Sequence, residues 1–224
     1  MYPVNLDIRN RLCVVVGGGA VAERKTTGLL TAGAQVRIIS PELTATLRQY
    51  ALEGRISWLS QPFAPEDVAD AFLVFAATSS PEVQAEVCTA AHRAGCLVNM
   101  VDAPELCDFH VPAILRRGDL VLAVSTAGTS PALAAWLKAR LEQDIGGEYA
   151  VLARLLAEIR VNVLGLPLSG REKKMLFQKM LDSDILAWIR DGKKELLAAH
   201  VQEVFGHLIP VGRVLDLLWT ERNP

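Results

Sequence analysis

Leu12-Cys13-Val14-Val15-Val16-Gly17-Gly18-Gly19-Ala20-Val21-Ala22 is the stretch whose reading decides the fold. Its apolar run lacks polar alternation, as expected of a strand covered by helices on both faces. The glycines then mark a tight turn, and a helical pattern begins directly after them. In such a strand–turn–helix, Gly17 lets the chain turn, Gly19 lets the backbone approach a pyrophosphate, and the small Ala22 permits close packing of helix on strand. The free N–H groups at the helix start form an anion site with the macrodipole behind them. Gly17, Gly18, Gly19, Ala20 and Val21 are therefore candidate cofactor-binding residues, and the cofactor they suit is a dinucleotide.

Working outward, apolar strand candidates at Leu12–Val16, Gln35–Ser40, Ile56–Leu59, Phe72–Ala77 and Leu97–Val101 alternate with helical patterns such as Val21–Ala32 and Glu82–Ala94. This alternation predicts βαβ units and a doubly wound, Rossmann-like parallel sheet in the α/β class. Gly33 and Gly95 follow the two helices, where a left-handed residue ends a helix well. After Asp102 the pattern changes. Pro112–Leu115 and Leu120–Ser125 are separated only by Arg116-Arg117-Gly118-Asp119, a hairpin-type connection. Beyond it the chain is helical. Ser130 and Pro131 suit N-cap and first-turn positions of a helix running to about Asp144. A second helix from about Glu148 to Leu164 places Leu152, Leu155, Leu156, Ile159 and Val163 on one stripe. Ser169 and Glu172 have the spacing of a capping box. The expected division is residues 1–112 as a dinucleotide-binding domain and residues 113–224 as hairpin plus helical dimerisation and substrate-cleft region. The stripe from Leu152 to Val163, with Leu196, Leu197, Val201 and Val204, is more apolar surface than a short helical half should bury alone, which predicts a homodimer.

Composition narrows the class further. With 51% hydrophobic residues in 224 the chain can bury a continuous core. Its 23 Lys and Arg against 25 Asp and Glu give no net field toward nucleic acid or an anionic membrane, so any anion site must be local. Cys13, Cys88, Cys96 and Cys107 show no metal or redox spacing and are read as reduced thiols, hence a cytoplasmic protein. Charges in Met1–Arg11 leave no apolar core for a signal peptide, and no apolar stretch is long enough to span a bilayer.

One feature departs from the usual dinucleotide fingerprint. The acid expected at the end of the second strand is replaced by Ser40-Pro41-Glu42, so Glu42 or the backbone of these residues is assigned to the adenosine ribose. Arg37 lies inside the strand and reads as a solvent-facing residue rather than a 2′-phosphate site, so the expected cofactor is NAD.

Four segments together resemble a known family. They are Val14–Lys25, Phe75-Ala76-Ala77-Thr78, Asn99-Met100-Val101-Asp102-Ala103-Pro104 and Ser125-Thr126-Ala127-Gly128-Thr129-Ser130-Pro131. In order and spacing they are similar to the precorrin-2 dehydrogenases and the N-terminal module of siroheme synthases. The resemblance implies a Rossmann domain that binds NAD, a helical part that exchanges contacts with a second subunit, and oxidation of precorrin-2 to sirohydrochlorin. It also implies the single-module form. Asp102 is implied as the catalytic residue, and its place at the carboxyl end of a strand suits that role independently. Thr78 and Asn99 are assigned with the glycine turn to the cofactor.

Precorrin-2 is a polycarboxylate, so cations are expected nearby. Arg24, Lys25, Arg116 and Arg117 are the candidates, and the loop before the Ser130 helix, with Thr126 and Ser130, suits a carboxylate. Some members of the family also insert iron. His92, His110, His200 and His207 show no metal-ligand spacing, so no metal ligand is assigned; His110 alone lies close to Asp102 in the chain. Two rivals remain at this level, a bifunctional dehydrogenase and chelatase, and a dinucleotide sensor without chemistry.

Overall fold

A computed structural model describes residues 1–101, 103–206 and 208–220. Asp102 and His207 lie outside the described residues. The chain divides into two compact units, Met1–Val111 and Pro112–Pro224.

In the first unit a five-stranded parallel sheet has the order β3-β2-β1-β4-β5, with β1 Leu12–Val16, β2 Gln35–Ile39, β3 Ser57–Leu59, β4 Leu73–Ala76 and β5 Leu97–Met100. The central β1 pairs in parallel with β2 on one side and β4 on the other. Both of its faces are dry. Cys13 and Val15 pack with Ala22 and Leu29 of α1 (Ala20–Thr31) and Leu47 of α2 (Ala45–Leu52). Val14 and Val16 pack with Val87, Cys88 and Ala91 of α3 (Pro81–Arg93). Alternate side chains thus enter two separate cores, which is why the strand reads as an unbroken apolar run. Ala22 has no exposed surface, as close helix–strand packing requires. The doubly wound expectation is met. β1 has its expected bounds, and β2 to β5 are trimmed at their ends relative to the sequence pattern, as terminal residues leave the ladder first.

β5 is an edge strand, and the chain closes that edge without adding another. The Asp108 N–H donates to Val98 O at 2.9 Å, and Val98 N–H donates to the Asp108 carboxylate at 2.8 Å. The Cys107 thiol accepts from Met100 N–H at 3.1 Å and donates to Met100 O at 3.2 Å. Side chains here stand in for the missing neighbour and satisfy backbone groups that would otherwise template aggregation. His92 of α3 bonds the same Asp108 oxygen, at 3.2 Å.

The second unit opens with an antiparallel hairpin, β6 (Ala113–Arg117) and β7 (Leu120–Val124). Arg116 and Arg117 are in the strand, not the turn as the sequence suggested; the connection shrinks to Gly118-Asp119, with Gly118 at φ +56°. Such a two-residue loop needs positive φ, and glycine supplies it without strain. Among the described residues six helices follow: α4 (Pro131–Asp144), α5 (Glu148–Leu164), α6 (Gly170–Leu181), α7 (Ile185–Asp191), α8 (Lys194–Phe205) and α9 (Val211–Thr220). Ser130 caps α4 by accepting from Leu133 N–H, and Ser169 and Glu172 form the expected capping box on α6.

The helical core corrects one inference. Leu152, Leu155, Ile159 and Val163 of α5 and Leu197, Val201 and Val204 of α8 are buried in one core with Met180, Ile185 and Phe205. Both stripes are covered within one chain and so give no argument for a dimer; Leu196 alone of that set is exposed. Apolar side chains stay exposed on several helices, Val161 and Leu164 of α5 and Met175 of α6 among them. On α4 only Ala134 is buried, while Leu133 and Trp136 are 46% and 57% exposed. Among the described residues no helix is long and apolar enough to cross a membrane.

Candidate functional site

The chain reverses direction across the sheet between β1 and β4, and a crevice at the carboxyl ends of strands is expected at such a switch point. Three segments meet there. The turn Gly17–Gly19 leaves β1. Gly18 O accepts from Thr44 N–H at 3.0 Å, tying the turn to the segment after β2. Gly17 sits against the end of β4, with φ +119°, and a Cβ there would lie 2.2 Å from Ala77 O. Gly18 is equally constrained, since a Cβ would fall 1.8 Å from Glu42 O.

Gly19 differs. It is the N-cap of α1, its backbone is extended at φ −86°, and a Cβ there would meet nothing within 4 Å. No side chain caps this helix. The first N–H groups of α1 therefore face open space with only their dipole for company, which is the arrangement that accepts a pyrophosphate. The residues fit a dinucleotide. Gly17 and Gly18 are fixed by close approach to Ala77 and Glu42, and Gly19 with Ala20 and Val21 lies at the open start of the helix.

The segment after β2 is held rigidly. Ser40 Oγ donates to Glu42 O at 2.7 Å, Trp58 Nε1 donates to Ser40 O at 2.9 Å, and Ser60 Oγ donates to Pro41 O at 3.4 Å. The Glu42 side chain remains exposed beside the turn. Arg37 is not free, because its guanidinium donates to Asp67 O at 3.4 Å. Thr78, after β4, accepts from Ser80 N–H through its hydroxyl and from Gln84 Nε2 through its carbonyl. Glu23 in the first turn of α1 was not singled out in the sequence, yet its carboxylate accepts from the Thr44 hydroxyl at 2.5 Å and so links α1 to α2.

Asn99 is 5% exposed and its amide is spoken for at both ends. Its Oδ1 accepts from Lys25 Nζ at 3.1 Å, and its Nδ2 donates to Phe109 O at 2.9 Å. Both ends of the amide are therefore engaged within the protein. Burial, with the neighbouring Arg24 charge, pushes the Lys25 amine below the usual lysine range. Arg24 itself is exposed.

In the second unit, Arg117 donates to the carbonyls of Ile145 at 2.8 Å, Glu142 at 3.4 Å and Arg116 at 3.1 Å, which ties its guanidinium to the end of α4. Arg116 is exposed. The Thr126 hydroxyl accepts from Ser130 N–H at 3.0 Å, with Ala127 at φ 52° and Gly128 at φ 87° between them. His110 bonds Pro104 O at 3.4 Å, and among the described residues no group of three or more His, Cys, Asp or Glu could hold a metal ion.

Comparison with known proteins agrees with this geometry. Residues 4–113 match a family model for NAD(P)-binding chains, and residues 117–144 match one for the central part of sirohaem biosynthesis proteins. The chain is 40% identical over 202 residues to a siroheme synthase of Methylobacillus flagellatus, covering 90% of this chain and 43% of the relative. It is 36% identical over 220 residues to one of Nitrosomonas eutropha, covering 95% and 46%. It thus spans less than half the length of these curated relatives. Among solved structures it is similar to SirC, a precorrin-2 dehydrogenase, with a TM-score of 0.73 and 27% identity over 91% of this chain and 98% of that one. With the glycine turn, the strand order and the hairpin all in place, this chain is similar in fold and sequence to SirC and to the siroheme synthases.

Proposed function

We propose that this chain oxidises precorrin-2 to sirohydrochlorin with NAD. The observation that carries the reading is the open, uncapped start of α1 at Gly19, at the switch point of a sheet in a chain similar to SirC, a precorrin-2 dehydrogenase. NAD is favoured over NADP because the segment Ser40–Thr44 holds Glu42 and no cation, so a 2′-phosphate would meet a carboxylate. Bound there, NAD supplies the hydride acceptor. The reaction also releases a proton from the substrate, and Asp102, which follows β5 and Val101 in the chain, is the carboxylate assigned to take it.

Within this reading, residues 1–112 hold the cofactor, and residues 113–224 serve the substrate and the subunit contact. Arg24, Lys25, Arg116 and Arg117 are the cations for substrate carboxylates, with the Thr126–Ser130 loop as a further anion site. A homodimer is part of the proposal, now resting on the open α4 face with Leu133 and Trp136. The four free thiols, Cys13, Cys88 and Cys96 among them buried, support a reducing compartment, the cytoplasm. Anaerobic incubation with precorrin-2 and NAD tests the function: formation of NADH with the product's absorbance supports it, and a protein that binds NAD without turnover overturns it in favour of a sensor.

A further inference from the structure

The Lys25 ammonium is half-buried and has no carboxylate partner among the described residues. A desolvated cation is costly without compensation, and here the compensation is small: one amide oxygen at 3.1 Å and the face of the Phe75 ring, whose centroid is 5.5 Å away. Two of its three N–H donors are unused by these contacts. What holds it is a closed circuit of four residues. Lys25 donates to Asn99, Asn99 donates to Phe109 O, and the Phe109 ring meets Phe75 edge to face at 5.4 Å. Phe75 and Asn99 are register partners on β4 and β5, so they share one face of the sheet, one residue before the carboxyl ends of those strands. The Asn99 amide is oriented by the Phe109 carbonyl, which requires Nδ2 toward Phe109 and therefore Oδ1 toward Lys25.

Resting on the proposed function, we propose that Asn99 is a positioning residue whose work is to aim the Lys25 ammonium, and that Lys25 binds a carboxylate of the tetrapyrrole substrate rather than a phosphate of the cofactor. A cation fixed by one neutral partner keeps its charge available, whereas an ion pair would spend it.

The test measures NAD affinity by titration and precorrin-2 kinetics by NADH formation for the wild type, Lys25→Met, Asn99→Leu and the double variant, with circular dichroism as fold control. Each single variant should raise the KM for precorrin-2 by about 10–100-fold, the scale of one charge-assisted hydrogen bond, with kcat little changed. NAD affinity should stay within about twofold. Because Asn99 acts through Lys25, the double variant should be no worse than Lys25→Met. If Asn99→Leu does not fold, Asn99→Ala carries the same comparison. Lowered NAD affinity in Lys25→Met, an unchanged KM, or effects that multiply in the double variant would each overturn the inference. Those outcomes are read with an active wild type; an inactive wild type overturns the function itself.

Discussion

A methyl group on Gly18 would stand 1.8 Å from the carbonyl oxygen of Glu42, whereas one on the adjacent Gly19 would touch nothing within 4 Å. Two neighbouring glycines of one turn thus answer to different constraints. Gly18→Ala should cost about 1–3 kcal/mol of stability or more, the usual scale of overpacking against backbone that cannot move. Gly19→Ala should melt within about 1 kcal/mol of the wild type, since its backbone is already in a region any residue adopts. Gly19→Leu should keep the fold and lose NAD binding. Thermal melts and NAD titration of the three variants check this; unchanged NAD affinity in the leucine variant refutes the cofactor assignment.

Asp102 is assigned the proton. Asp102→Ala should leave NAD affinity nearly intact and lower the dehydrogenation rate by about 10²–10⁴, the range for losing a general base. Asp102→Asn should be almost as impaired, because it keeps the shape and cannot take a proton. An Asn variant with full activity, followed anaerobically as NADH formed, would leave Asp102 a turn residue.

Lys25 should reveal its setting in its titration. Burial favours the neutral amine and lowers its pKa, so by lysine-selective NMR it should lose its proton at lower pH than exposed lysines. A bound carboxylate favours the charged form, so product binding should raise that pKa. By linkage, affinity for the tetrapyrrole should fall as pH rises through the Lys25 pKa. The titratable groups felt by this amine include Arg24 and Cys107, and burial pushes the Cys107 thiol up, which favours its neutral form. A Lys25 resonance that titrates with the others would contradict this account.

Asp108 should matter for stability, although it lies in no regular element. Asp108→Ala leaves Val98 N–H and His92 without their partner. Loss of a buried backbone bond to a charged acceptor costs about 1–3 kcal/mol. Urea unfolding should show this, with local protection of β5 in hydrogen exchange reduced more than that of β1.

The α4 face gives the dimer a sharper test than the helical stripes did. Light scattering at micromolar protein should return about twice 24.3 kDa for the wild type. Replacing Leu133 and Trp136 together with Asp should return the monomer mass. A wild type already at 24.3 kDa would remove the dimer from the proposal.

The local signals of this protein were legible in the chain itself. The unbroken apolar runs at Val14–Val16 and Val74–Ala76 mark strands covered on both faces, and the glycine turn, the Ser130 and Ser169 caps and the α5 periodicity are set by neighbours a few residues apart. Such features obey short-range rules that need no knowledge of the fold. What only the tertiary structure decided depends on strand order and on which apolar faces meet. Lys25 and Asn99 are 74 residues apart and become partners because β5 takes its place beside β4. Asp108 and Cys107 close a sheet edge that exists only once the sheet is assembled. The α5 and α8 stripes looked like spare surface in the sequence and are one core in the fold, because amphipathicity says that a face must be covered and not by what.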